Sequence, residues 1–174
     1  MNTNKDNNES LEDYNIINIK VDNKEQVISK FSYDENDKLN KELSEFILDK
    51  TKTITLTKDI KLNFYTPSPI DKTEIQTTLQ NHFREEYIEV KHELKRLNIF
   101  TLTMIILGVI TLSALFLAHK FFDYFYFTTI LEIASWVFIW EAVDSIFLRR
   151  PRITRQCMLM HKLYSAHVEV IINK

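Results

Sequence analysis

Two long apolar runs constrain this chain more than anything else in it: Ile99 to Ala118 (IFTLTMIILGVITLSALFLA) and Tyr124 to Leu148 (YFYFTTILEIASWVFIWEAVDSIFL). A hydrocarbon core of about 30 Å takes about 20 mainly apolar residues as a helix, and each run supplies that length. Only His119, Lys120 and Phe121-Phe122-Asp123 separate them, so the pattern predicts a transmembrane helical hairpin over 99–148. Arg84, Lys91, Lys95 and Arg96 precede the first run and Arg149, Arg150, Arg152 and Arg155 follow the second, against Lys120 alone in the turn. That asymmetry predicts a multi-pass protein of the cytoplasmic membrane with both termini cytoplasmic.

The chain on either side of the hairpin reads as a small mixed domain. Residues 1–14 begin MNTNKDNNESLED, polar and without the apolar core of a signal peptide, and are expected to be a disordered tail. A cytoplasmic α+β domain is expected over 15–70. Ile16 to Val21 (IINIKV) is β-rich, and Val27 to Phe31 is a second strand or the edge of a turn. Leu39, Leu43, Phe46 and Ile47 fall on one face of a helix running from about Asp37 to Asp49. Thr53 to Tyr65 alternates through Ile54, Leu56, Ile60, Leu62 and Phe64, which gives either a hairpin around Lys58-Asp59 or one long bent strand.

Pro67-Ser68-Pro69 breaks the strand, and Asp71 followed by Glu74 fits the N-cap and capping box of a long helix over 71–98 that leads into the membrane. Carried on to His119 it would rise about 70 Å and couple domain to bilayer. Leu79, Phe83, Tyr87, Val90, Leu94 and Leu97 make a coiled-coil-like seam along it, whose upper half has the chain's own sheet to pack on and whose lower half favours an oligomer. Beyond the hairpin, 149–174 is a basic segment, a short helix from Thr154 to His161 and a strand from Ala166 to Ile172. The strand is expected to join the soluble sheet, since alone it leaves its backbone groups unpaired. The fold class predicted is an α+β membrane protein: a small cytoplasmic domain, a long helix continuing into a two-helix hairpin, and assembly around an axis, as a tetramer.

Composition removes several classes of chemistry. The single glycine, Gly108, lies inside the first apolar run, so no glycine-rich phosphate loop can be built. Cys157 is alone, which excludes an intrachain disulfide. Residues up to Asn98 hold 15 Lys and Arg against 19 Asp and Glu, and the remainder hold 7 against 5, so net charge does not announce a nucleic-acid binder. His82, His92, His119, His161 and His167 lack metal-ligand spacing, and no nucleophile stands beside a base in sequence. The expectation is a non-enzyme without metal or cofactor.

The charged residues of the second run are the candidates for a pore or gate, because carboxylates at membrane depth face a bundle interior or a watery cavity. Glu141 and Asp144 share a face near the inner end and read either as an acidic ring at the cytoplasmic mouth or as partners of Arg149, Arg150 or Arg152. Glu132 lies half a turn out of phase with Glu141, with Thr111 or Ser113 as a hydrogen-bonding partner on the first helix. Trp136 and Trp140 share its face, as subunit packing or as a hydrophobic gate. The aromatic residues from Phe121 to Phe127 suit an outer interfacial belt.

FSYDENDKLNKELSEFILDK, the alternating segment, IQTTLQNHFREEYIEVKHELKR and EIASWVFIWEAVDSIFLRR follow in an order that resembles a group of small bacterial two-helix membrane proteins. Glu132, Trp136, Val137 and Trp140 match that group's second helix. Ser135 stands where relatives have glycine, and Glu141-Ala142 where they often have Arg-Pro. More specifically, the chain resembles the protein A effectors of the Hailong anti-phage systems. The resemblance implies an ion channel with a cytoplasmic domain that binds a single-stranded DNA signal made by a partner nucleotidyltransferase. The bound oligodeoxynucleotide would hold the channel closed, and its loss during infection would open it and kill the cell. Such a ligand needs cations for phosphates and aromatic faces for bases. Lys50, Lys52, Lys58 and Lys61, followed by Phe64 and Tyr65, are the candidates, the other reading of these lysines being a solvated sheet face. The alternative function is a nonconducting membrane anchor or adaptor that recruits a protein partner.

Overall fold

The computed structural model describes residues 14–29, 38–67, 69–121 and 125–172. It is a mixed α+β chain, mostly helical, with one small sheet. Two compact units divide it: Met1–Ile88 together with Cys157–Lys174, and Glu89–Gln156. The tail expected over the first residues lies outside the described residues, apart from Tyr14.

The first unit is built on three strands, β1 (Tyr14–Lys20), β2 (Asp59–Thr66) and β3 (His167–Ile172), in the order β1-β2-β3. Both pairings are parallel, with Ile17 opposite Leu62 and Ile19 opposite Phe64 on one side, and Leu62 opposite Val168 and Phe64 opposite Val170 on the other. The C-terminal strand therefore joins the sheet. Parallel neighbours need crossover connections. The first is carried by helix α1 (Lys41–Lys52), and the second contains the other α-helices of the described residues: α2 (Lys72–Phe121), α3 (Phe125–Asp144) and α4 (Arg150–Tyr164). The apolar hairpin region is thus an insertion within one strand-to-strand crossover.

Period-two alternation divides the sheet into two faces. Ile17, Ile19, Ile60, Leu62, Phe64, Thr66 and Val168 are buried, and the buried helix positions Leu43, Ile47, Ile75, Leu79, Phe83 and Leu163 supply the other side of that core. Leu79 and Phe83, from the upper half of the predicted seam, are therefore core residues of this unit.

Several local expectations are corrected. α1 starts at Lys41, where the Asn40 side chain accepts from the Glu42 N–H, and not at Asp37. It runs on to Lys52 because Thr51 and Thr53 donate their hydroxyls to the Leu48 and Lys50 carbonyls. The helix thus ends immediately before the segment read as strand, with Thr53 as its C-cap; residues 53–58 turn, and β2 is a single strand with no antiparallel hairpin at Lys58-Asp59. Val27 to Phe31 is not a strand over its described part, where Ile28 makes one isolated bridge to Leu39; Lys30 and Phe31 lie outside the described residues. Asp71 does cap α2, its Oδ1 accepting from the Thr73 N–H, while the Glu74 carboxylate is engaged by Lys24.

In the second unit α2 continues without interruption and α3 packs against it at Gly108, where an added Cβ would lie 3.6 Å from Ile139 Cγ1 and 3.7 Å from Phe138 Cβ. Ser135 and Ala142 are buried, and small side chains are what close helix approach requires. The second apolar run is not one α-helix to Leu148. It ends at Asp144 and passes through a π-helical turn, Ser145–Arg149, into α4, so the predicted short helix from Thr154 is longer and continuous with what precedes it. Pro151 accounts for the turn: it lacks an N–H and its ring crowds the Phe147 carbonyl, and the ladder is relieved by widening, with the Arg150 N–H reaching back to Ser145 O.

Among the described residues α2 is the one helix long and apolar enough to span a membrane, over Lys72–Lys120. α3 has the length but carries Glu132, Glu141 and Asp144.

Candidate functional site

The sheet face opposite the core carries Ile16, Asn18, Lys20, Lys61, Asn63, Tyr65, His167, Glu169 and Ile171, and much of it is open. That is unusual, since all-parallel sheets are ordinarily covered on both faces. Polar ladders cross it instead. Lys61 Nζ lies 2.6 Å from Glu169 Oε2, a hydrogen bond that holds the Glu169 carboxyl below the ordinary carboxylate range against a smaller opposing effect of burial. One row further, Asn63 Nδ2 donates to Asn18 Oδ1 at 3.2 Å, and Asn63 Oδ1 is buried with no partner among the described residues. An unsatisfied buried acceptor costs about 1–3 kcal/mol, which a donor supplied from outside would recover.

A cavity of about 320 Å³ opens beside this ladder, lined by Tyr14, Lys61, Lys72, His167, Val168 and Glu169. Tyr14 and His167 meet edge to face with their centroids 6.0 Å apart. Two ammonium groups, an imidazole and a phenol thus gather at the amino ends of β2 and β3. Lys72, His167 and Tyr14 were not selected from the sequence, because their proximity depends on a register between strands far apart in the chain. The only available signal was the expectation that β3 joins the sheet.

Of the predicted ligand residues, Lys61 and Tyr65 are on this open face. Phe64 is not: it is 1 % exposed on the core side of β2, and its ring has no access to a ligand. Lys50 and Lys52 belong to the end of α1, where Lys50 sits over the Phe46 ring at 5.5 Å and Lys52 pairs with Asp49 at 3.2 Å. Lys58 lies in the turn before β2, its carbonyl accepting from Lys162 Nζ at 2.8 Å. The lysines are therefore distributed over different elements, and Lys61 is the one among them that lines the cavity.

In the second unit, Glu141 and Asp144 are held by one guanidinium, with Arg149 Nη2 2.9 Å from Glu141 Oε1 and Arg149 Nε 2.8 Å from Asp144 Oδ2. Glu132 does not draw on Thr111 or Ser113, whose hydroxyls donate to carbonyls of their own helix, Thr111 to Leu107 and Gly108 and Ser113 to Val109. Glu132, Trp136 and Trp140 form one exposed stripe, the indoles 59 % and 64 % exposed in the single chain. Ser145, inside the π turn, is fully buried with its Oγ unpartnered among the described residues. Residues 122–124 of the aromatic belt lie outside the described residues.

One nucleophile and base do meet, contrary to expectation: Ser44 Oγ and His82 Nε2 are 2.8 Å apart. Burial lowers the His82 pKa, with Lys38 adding to the effect and Glu86 and Glu85 opposing it. Glu86 approaches the same Nε2 at 4.0 Å, so it does not orient the ring through Nδ1 as a triad acid does, and Ser44 is itself buried. The bond ties α1 to α2. Among the described residues no group of three His, Cys, Asp or Glu is placed to hold a metal ion. Comparison with protein-family models, curated proteins and solved structures finds no match to the chain.

Proposed function

We propose that this chain is a ligand-gated membrane effector of anti-phage defence. It is a homo-oligomer, a tetramer, whose helical hairpin conducts ions through the bacterial cytoplasmic membrane and whose soluble unit senses a single-stranded oligodeoxynucleotide made by a partner nucleotidyltransferase. The ligand keeps the pore closed, and its loss opens it. One observation carries the reading. Ile99, Leu102, Ile105, Ile106, Val109, Ile110, Leu112, Phe116 and Leu117 are all exposed along α2, joined on α3 by Ile130, Ile133, Val137 and the two tryptophans. Water does not tolerate so extensive an apolar surface, whereas lipid and neighbouring subunits do. The sensing role draws on the resemblance and on the open sheet face, where Lys61 and Lys72 offer charge and His167 a ring N–H to phosphates, and Tyr14 and Tyr65 offer rings to bases.

The anchor reading has one observation of its own: Arg149 offsets the carboxylates that would otherwise form an acidic ring. One experiment separates the two. The protein is purified in nanodiscs without stripping bound material, its mass and ultraviolet absorbance ratio are measured before and after nuclease, and single-channel currents are recorded across a planar bilayer. A tetramer that carries nuclease-sensitive DNA and conducts once digested supports the effector. A nucleic-acid-free monomer or dimer without current establishes the anchor in its place.

A further inference from the structure

Two of the last charged residues of α2 before its apolar run, and the first one after α3, line one cavity of about 430 Å³ in the second unit: Glu93, Arg96 and Arg149 with Leu97, Phe100 and Ile153. Its position in the sequence is the junction of polar and apolar chain on both helices, which in a membrane protein is the level of the lipid headgroups. Glu93 and Arg96 stand three apart on one helix, where opposite charges commonly pair, yet among the described residues neither makes an ion pair. Arg149 spends Nε and one Nη2 proton on Asp144 and Glu141, which leaves three of a guanidinium's five N–H groups. The cavity therefore presents two guanidinium donors, one free carboxylate and an apolar side.

We propose that this cavity binds the headgroup of a phospholipid that carries both a phosphodiester and a primary ammonium, as phosphatidylethanolamine does. Arg96 and Arg149 take the phosphate oxygens, in the geometry guanidinium groups favour. Glu93 accepts from the ammonium, and Leu97, Phe100 and Ile153 cover the glycerol and first methylenes. Phosphatidylglycerol satisfies the arginines but leaves Glu93 facing a neutral hydroxyl. Phosphatidylcholine brings a cation with no N–H to donate. The inference rests on the membrane reading above.

The test uses the full chain, delipidated in detergent and titrated separately with each of the three lipids, with bound lipid counted by native mass spectrometry. The expected result is about tenfold tighter binding of phosphatidylethanolamine than of the other two. Glu93→Gln should bring phosphatidylethanolamine and phosphatidylglycerol to parity while preserving the latter. Arg96→Gln should weaken all three, and Leu97→Trp should block the cavity in a chain whose circular dichroism is unchanged. Equal retention of the three lipids by the native chain, or a preference that survives Glu93→Gln, overturns the proposal. So does displacement of the lipid by millimolar phosphoethanolamine or inorganic phosphate, which would make the site one for a soluble anion. Flotation with vesicles separates the two levels: a chain that floats with every composition but shows no preference loses only the headgroup site, whereas one that floats with none loses the membrane reading as well.

Discussion

The two faces of β2 make opposite demands on adjacent aromatic residues, and replacing each in turn distinguishes them. Phe64 is 1 % exposed and lies between Ile19 and Val170 in the two neighbouring strands. Phe64→Ala removes a buried ring from the central strand of a three-stranded sheet, a change that costs about 3–5 kcal/mol through lost burial and an unfilled cavity. Tyr65 is half-buried on the other face, and its loss costs about 1 kcal/mol or less. Hydrogen exchange of the full chain, read by mass spectrometry on β2 peptides, reports these values directly. At about 1.4 kcal/mol per factor of ten, Phe64→Ala should speed β2 amide exchange by about two to three and a half orders of magnitude, and Tyr65→Ala by less than about one. Oligodeoxynucleotide binding should show the reverse ranking once the fraction folded is corrected for, with Tyr65→Ala weakening it and Phe64→Ala not. Unchanged β2 protection in Phe64→Ala, together with lost binding, would mean that the face taken as core is the ligand face.

Substitutions at three further positions probe other parts of the fold. Gly108→Ala meets Ile139 and Phe138 at ordinary contact distances and gains up to about 1 kcal/mol of helix propensity, so the thermal midpoint should hold or rise, whereas Gly108→Leu should lower it by forcing α2 and α3 apart; equal losses in both would refute the packing. His82 is held neutral by burial, so the unfolded chain takes up a proton below the ordinary histidine pKa of about 6.5 that the folded chain resists. Thermal stability should therefore fall as pH drops below about 6.5, and His82→Gln should flatten that dependence; an unchanged slope would assign it to other groups. Glu169→Gln removes a half-exposed partner of Lys61 and should cost less than about 1 kcal/mol, only at pH values above the folded carboxyl's titration, while tightening anion binding a few-fold through the released ammonium. Weaker binding in a fluorescence polarisation titration would remove Lys61 as a phosphate contact.

What was legible in the sequence is what local chemistry dictates. Asp71 caps α2 because its carboxylate lies two residues before an orphan N–H, and the spacing alone conveys that. β3 could be placed in the sheet because a lone strand is unstable. Phe64 was legible too, since it shares the apolar phase of Ile60 and Leu62, and choosing it for base stacking set aside the alternation that marks it as core. The hairpin at Lys58-Asp59 failed because Ile54 and Leu56 extend the same period into residues 53–58, which turn between the threonine-bonded end of α1 and the start of β2. Nothing local could have brought Lys72, His167 and Tyr14 together, because that cluster exists only once two parallel pairings fix the register.

The parallel topology also imposes an order on assembly. β2 is the central strand, and one of its two neighbours is made from the last described residues of the chain, after every apolar helix. Without β3 the sheet would be a two-stranded ribbon of β1 and β2, which is marginal in water and presents an open edge. The core face then lacks Val168 as well as Met160 and Leu163 from α4, all three buried in the finished unit. The first unit is therefore complete only with the chain that returns from the apolar helices through the π turn that Pro151 imposes. In the proposed function, ligand across Lys61, Glu169 and His167 would bridge the last strand to the central one and so stabilise that closure. The proposed gating would draw on this connectivity, since in the chain β2 precedes the inserted apolar helices and β3 follows them.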